Sequence, residues 1–225
     1  MKHIKFYLPI LLAIMLVSCA SKEDKANKLI KQYMYESLYD YESYEPMKTT
    51  VDTLYADIRL DKEAYALAMV GQKNLEKVNE YLDKAKSAQR SMDIWSDSYT
   101  SYGRSQYNEA KAMFRDNLNE ARRCMRQVYA AMLKILDREE ALQQCNKDEF
   151  VGWKVEHRFR CKTKGGNSTI GEYVFTTDKD LKEIIASFDT DDEDYKDAVS
   201  FIEETLTKTK ESVQKDLDDT LEDLD

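Results

Sequence analysis

Apolar residues recur at alternating steps of three and four along two successive stretches of this chain. That periodicity restricts its architecture more than any other feature. Leu75, Val78, Leu82, Ala85, Met92 and Trp95 follow it between about Asp61 and Tyr99, with Gln89 the one polar interruption. Tyr107, Ala110, Phe114, Leu118, Ala121, Met125, Val128, Met132, Ile135 and Leu142 follow it again. Such spacing gathers the residues on one face of an α-helix. Between the two stretches, Ser98–Ser105 holds Gly103 among serines and tyrosines and reads as a turn. The expectation is an antiparallel helical hairpin, with Leu75, Val78, Leu82 and Ala85 packed against Met125, Val128, Met132 and Ile135. The roughly 40 residues from Ser105 to Gln144 would reach about 60 Å, so the hairpin is expected to project as an excisable insert. Composition agrees. Six glycines and two prolines in 225 residues argue against an all-β sandwich, and 34% charged beside 42% hydrophobic residues suits long amphipathic helices.

The flanks read differently. A first helix is expected from Asp24 to about Leu38, with Ala26, Leu29, Ile30, Tyr33 and Met34 on one side. Tyrosines then cluster at 33, 35, 39, 41 and 44, and Pro46 forces a break. Met47–Tyr55, rich in threonine and valine, reads as a short strand. After Phe150, Trp153, Val155, His157, Phe159 and Cys161 alternate with charged residues, the period-two signature of a half-buried strand. Lys164–Ser168 supplies a turn, Thr169–Thr176 a second strand, and Ile184–Phe188 a third strand or a short helix. A single amphipathic helix is expected from Tyr195 to the C-terminus through Val199, Ile202, Leu206, Val213, Leu217 and Leu221, its acidic last turns fraying.

The fold class is therefore α+β, mainly α: a long antiparallel helical hairpin inserted in a small helix-plus-antiparallel-sheet module, with a C-terminal amphipathic helix. The expected segments are a leader at 1–18, a tether at 19–23 and module residues at 24–59. The hairpin follows at 60–147, strands at 148–190 and the final helix at 191–225.

The N-terminus carries an address. Lys2 and Lys5 flank the start of a twelve-residue apolar run, Phe6–Val17, too short to span a bilayer. Leu16-Val17-Ser18-Cys19 resembles the bacterial lipobox, which implies a diacylglyceryl group on the Cys19 sulfur, cleavage before Cys19 and N-acylation. Cleavage removes two lysines and no acid, so the net charge of −9 becomes −9 − 2 = −11. Ala20 in place of aspartate implies the outer membrane, and Ser21-Lys22-Glu23-Asp24 looks like an acidic surface-export signal, with a solvated helix start as the alternative. The membrane partner is thus reached through acyl chains on Cys19. The acidic balance gives no reason to approach nucleic acid.

Reactive constellations are scarce in the pattern. His157 is the one histidine of the mature chain and lies on the apolar side of the best strand, where a packed, hydrogen-bonded role outweighs a catalytic one. A second histidine for a Ser-His or two-His zinc arrangement is missing, and Gly165-Gly166 sits in a hairpin turn rather than before a helix. Asp189–Asp194 fails as a calcium loop, because Asp194 stands where glycine and Ser200 where glutamate is needed. No catalytic residue, cofactor or metal is predicted. With Cys19 assigned to lipid, Cys124, Cys145 and Cys161 are expected as thiols, a Cys145–Cys161 bridge being the alternative. The tyrosines between Tyr33 and Tyr107 form either packing staples, the favoured reading, or a contact surface for protein or glycan.

Leu29-Ile30-Lys31-Gln32-Tyr33, Ser43-Tyr44-Glu45-Pro46, Ile94–Tyr99, Gly152-Trp153-Lys154-Val155 with His157-Arg158-Phe159-Arg160, and Asp178–Leu181 together resemble a group of Bacteroidota lipoproteins. The resemblance covers most of the mature chain and implies an address and a fold; it carries over no catalytic residue. The function expected is that of a non-enzymatic envelope or cell-surface lipoprotein binding through its hairpin and aromatic patch. The alternative is an enzyme or enzyme subunit with an acidic site. A cleft gathering several carboxylates around Tyr44 or His157 would favour that alternative.

Overall fold

The computed structural model describes residues 21–144 and 149–224 and divides into two compact units. The leader, Cys19 and Cys145 lie outside the described residues.

The first unit comprises residues through Leu54 together with Phe150–Asp189. Its helix α1 runs Lys22–Ser37 and starts where local chemistry says it should. The Ser21 hydroxyl accepts from the Asp24 backbone N–H while the Asp24 carboxylate accepts from the Ser21 N–H, a reciprocal capping box. Helical geometry thus begins at Lys22, inside the expected tether. Ala26, Ile30 and Met34, four residues apart, are its buried stripe.

Strands β1 (Glu45–Leu54), β2 (Gly152–Lys162), β3 (Ser168–Thr177) and β4 (Ile184–Asp189) form one antiparallel sheet in that order, so the third candidate is a strand. The alternation in β2 holds: Val155, His157, Phe159 and Cys161 are buried, and Glu156, Arg158 and Arg160 are exposed. With α1 and Phe175 of β3 they make the unit's core. Gly166, at φ +78°, turns the chain between β2 and β3. Gly171 leaves the space that the Phe159 ring fills, since a Cβ there would come within 2.8 Å of it.

The second unit comprises Tyr55–Glu149 and Thr190–Asp225. Helices α2 (Lys62–Trp95) and α3 (Ser101–Gln144) form the expected hairpin. Asp61 caps α2 by accepting from the Glu63 and Ala64 N–H groups, and its other carboxylate oxygen lies 2.8 Å from Nη2 of Arg138 on α3.

Three expectations are corrected in this unit. The buried residues of α2 are Ala64, Ala68, Gly71, Asn74, Val78, Ala85 and Ala88. Leu75 is 36% exposed and Leu82 only half-buried, since the buried row runs instead through Asn74, Val78 and Ala85. On α3, Val128, Met132 and Ile135 are buried as expected and Met125 is half-buried.

The C-terminal segment is two helices, α4 (Glu193–Leu206) and α5 (Lys210–Asp223). Thr209 starts α5 through a capping box with Ser212. Nor does the hairpin stand apart from the C-terminal segment. Ala198, Phe201 and Ile202 of α4 and Val213 of α5 join Ala64, Ala68, Val128, Met132 and Ile135 in one core, so removing 60–145 would strip the C-terminal helices of their partners. Phe201 seats against Gly71, where a Cβ would come within 2.5 Å of its ring. The acidic run opens α4, with Asp192 as N-cap and Glu193 and Asp194 in its positively polarised first turn.

Candidate functional site

The register of β1 on β2 sets Thr49 beside His157. Two local features bring further groups to that pair. The short 3₁₀ turn Tyr41–Ser43 delivers Tyr44 to the start of β1, and α1 presents Asn27 one residue beyond its buried Ala26. The result is a chain of hydrogen bonds. Tyr44 Oη lies 2.7 Å from His157 Nε2, His157 Nδ1 lies 2.9 Å from Thr49 Oγ1, and Thr49 Oγ1 donates to Asn27 Oδ1 at 2.6 Å. The His157 ring stacks on Phe159 at 5.6 Å.

Burial decides the charge state of this network. His157 is 2% exposed, and loss of hydration pushes its imidazole down to about 4. Burial, and then the neighbouring Tyr41, pushes the Tyr44 phenol up to about 12. Both shifts disfavour proton transfer from Tyr44 to His157. Both groups stay neutral through the physiological range. The arrangement positions neutral side chains and offers no phenolate or imidazolium there.

Above the network lies a groove of about 680 Å³. Asn27 and Lys31 of α1 form one wall, Tyr41, Tyr44 and Thr49 contribute to its lining, and Pro46, Met47 and Lys48 of β1 complete it. Glu42 is the one carboxylate lining it. Of the sequence candidates, Tyr44 and His157 are brought together. Asn27, Thr49 and Lys31 join them without having stood out in the sequence.

The remaining tyrosines divide. Tyr33 packs edge-on to Phe175 at 5.2 Å, and Tyr41 stacks on Tyr44 at 5.6 Å, whereas Tyr35 and Tyr39 are 68% and 71% exposed. A second group of aromatics stands at the hairpin turn. Tyr99 is 94%, Ile94 74% and Tyr102 64% exposed. Trp95 meets Tyr102 edge-on at 5.7 Å. The turn beneath them is tied down: Thr100 Oγ1 accepts from the Gly103 N–H at 3.0 Å and lies 3.1 Å from Ser98 Oγ. A Cβ at Gly103 would collide with Ser98, so close packing also fixes the loop.

Cys124 and Cys161 are buried free thiols, and burial, then Asp40, pushes the Cys161 thiol above its ordinary value. Among the described residues no group of three or more histidine, cysteine, aspartate or glutamate side chains gathers to hold a metal ion. Among the same residues no helix is long and apolar enough to cross a membrane. No family model matches this chain, and neither the curated proteins nor the solved structures contain a match.

Proposed function

We propose that this chain is a lipid-anchored lipoprotein of the outer membrane, of the Bacteroidota type its motifs resemble, displayed in the envelope or at the cell surface. It acts by binding rather than by catalysis. The observation that carries the binding reading is the hairpin turn, where Tyr99 on the loop, Ile94 in the last turn of α2 and Tyr102 in the first turn of α3 are exposed around a connection held by its own hydrogen bonds. Exposed apolar residues on a mobile loop would cost ordering entropy on contact. On a fixed loop they present large, amphipathic contact area at little such cost. The partner is a protein or a glycan, reached through this turn and the aromatic patch around Tyr41 and Tyr44. The enzymatic alternative draws little support from the groove, where Glu42 is the one carboxylate among the described lining residues.

Anchoring rests on Cys19, because acyl chains are the strong membrane-binding feature in this reading. Cys19→Ala should move the protein from the membrane pellet to the soluble fraction and abolish the acyl mass on its N-terminal peptide. Recovery of that variant in salt-washed membranes would overturn the anchor.

A further inference from the structure

The sheet of the first unit ends in β1, and the direction of its backbone groups shows what that edge offers. The Lys162 N–H of β2 donates to Ser43 Oγ at 2.8 Å, on the β1 side, and the Thr163 N–H donates to the Asn167 carbonyl at 2.9 Å, on the β3 side. The register of β2 on β3 is unbroken, so even-numbered residues of β2 turn their backbone groups toward β1. Lys48, Thr50 and Asp52 lie opposite Arg158, Glu156 and Lys154 and use their N–H and C=O groups inward. Thr49, Val51 and Thr53 turn theirs outward, along an edge that no strand of this sheet pairs.

Side chains alternate along the same strand. Lys48, Thr50 and Asp52 share the sheet face of Glu156, opposite the His157 network. Lys154 first, and Lys48 among the lesser causes, hold the Glu156 carboxyl below its ordinary value, as that placement requires. Glu156 pairs with Lys154 at 2.7 Å, and among the described residues neither Lys48 nor Asp52 is in an ion pair. An edge lysine deters most strands from pairing. Here an antiparallel copy of β1 supplies its counter-charge. With a twofold axis at Thr50, Lys48 faces Asp52 of the second copy, and Asp52 faces its Lys48. Both fall in non-hydrogen-bonded pairs, where opposed side chains lie closest. Thr49 and Val51 of the two copies then exchange backbone hydrogen bonds. Moving the axis to Thr49 or Val51 keeps that bonding but sets Lys48 against Thr50 or Leu54. We infer that β1 pairs with β1 of a second copy in the Thr50-centred register, continuing the sheet across the axis. Pro46 and the register shift between Pro46 and Lys48 end the pairing. So small a contact makes a weak dimer, suited to chains that meet at raised effective concentration on one membrane. The inference goes beyond the binding-module reading and does not depend on it.

The test uses the full mature chain carrying Cys19→Ser, in sedimentation velocity between about 5 and about 500 μM. This parent should shift from monomer to dimer across that range. Lys48→Asp and Asp52→Lys should each stay monomeric, because each sets like charges opposite one another on both sides of the axis. Mixed in equal amounts, the two variants should form a dimer again, since each supplies the charge the other lacks. In the parent background, Thr50→Cys should oxidise to a disulfide-linked dimer and Asp52→Cys should not, because the residue on the axis alone meets its own copy. That pair reads the register even where a charge variant folds poorly. A parent monomeric throughout, single charge variants that dimerise as it does, a mixture that stays monomeric, equal cross-linking of the two cysteine variants, or growth past the dimer into open assemblies would each overturn the inference. Acylation of Cys19, read separately by mass, is untouched by any of these results, so the dimer can fail while the lipoprotein reading stands.

Discussion

In the sheet unit, Phe159 is surrounded by rings: Tyr44, His157 and Tyr173 lie 5.6, 5.6 and 5.7 Å from it, and Ile30, Met34 and Phe175 are buried with it. In the helical unit, the residues buried along α2 are mostly alanines, with Gly71 and Val78 between them. The first core is specified by interlocking large side chains around one polar chain. The second is specified by how closely two backbones approach, with large side chains concentrated where α4 and α5 join it at Phe201, Ile202 and Val213. Cores of these two kinds fail differently. Truncating a ring leaves a cavity that its neighbours cannot close, whereas a seam of alanines has little volume to lose and is sensitive to what is added.

The largest effect should come from breaking the ring cluster. Phe159→Ala should destabilise the sheet unit by about 3–5 kcal/mol, through lost burial and a cavity between α1 and the sheet. The two tryptophans separate the units, Trp153 reporting on the sheet and Trp95 on the hairpin. In a Trp95→Phe background, the urea midpoint of the Trp153 signal should fall accordingly. A loss below about 1 kcal/mol would mean that the rings are not what holds this core.

The buried polar chain gives the next effect, and its sign is fixed by the depressed acidity of His157. The folded imidazole titrates at about 4 and the unfolded one near its ordinary 6.5, so between those values the unfolded chain binds more protons. The contribution of His157 is complete above about pH 6.5 and is lost as pH falls toward 4, by up to about 3 kcal/mol. Tyr44, pushed up to about 12, does not ionise in that window. Urea unfolding of the parent and of His157→Gln at pH 7 and pH 4.5 isolates the histidine's contribution: the variant should lose less stability across the interval. Parallel losses would assign the acid sensitivity to carboxylates instead.

How much of this could be read from the sequence follows from the same contrast. The alternation of β2 was legible because one face is core and the other is charged, and a period of two admits one register of burial. The break between α4 and α5 was not. Leu206 and Val213 are seven residues apart, two helical turns, so the apolar spacing runs through the break undisturbed. The available signal was Thr209 followed by Ser212, a cap inside an apparently continuous helix. At the site, Tyr44 and His157 stood out by rarity and clustering. Asn27 and Thr49 did not, since their roles depend on a strand register linking Thr49 to His157, 108 residues away, and on a helix face that sequence spacing alone does not orient against the sheet.

The smallest predicted effect tests the hairpin seam, where counting apolar residues misplaced the contact. Leu75 satisfies the three-four pattern together with Val78, and apolar bulk alone would bury both. The structure buries Val78 to 1% exposure and leaves Leu75 at 36%, the buried residues of this stretch being Ala68, Gly71, Asn74 and Val78. Asn74 tolerates that row by donating its amide to the Val70 carbonyl at 2.8 Å, one turn back on its own helix. Leu75→Gln should therefore cost less than about 0.5 kcal/mol, since a glutamine there keeps most of its hydration and its helix propensity. Val78→Gln should cost about 2 kcal/mol or more, because the longer amide enters a closed seam among alanines. Urea unfolding followed through Trp95 in a Trp153→Phe background measures both against one parent. Equal costs would return Leu75 to the interface and restore a seam packed by its largest residues; a wide gap establishes that α2 and α3 meet through their smallest ones.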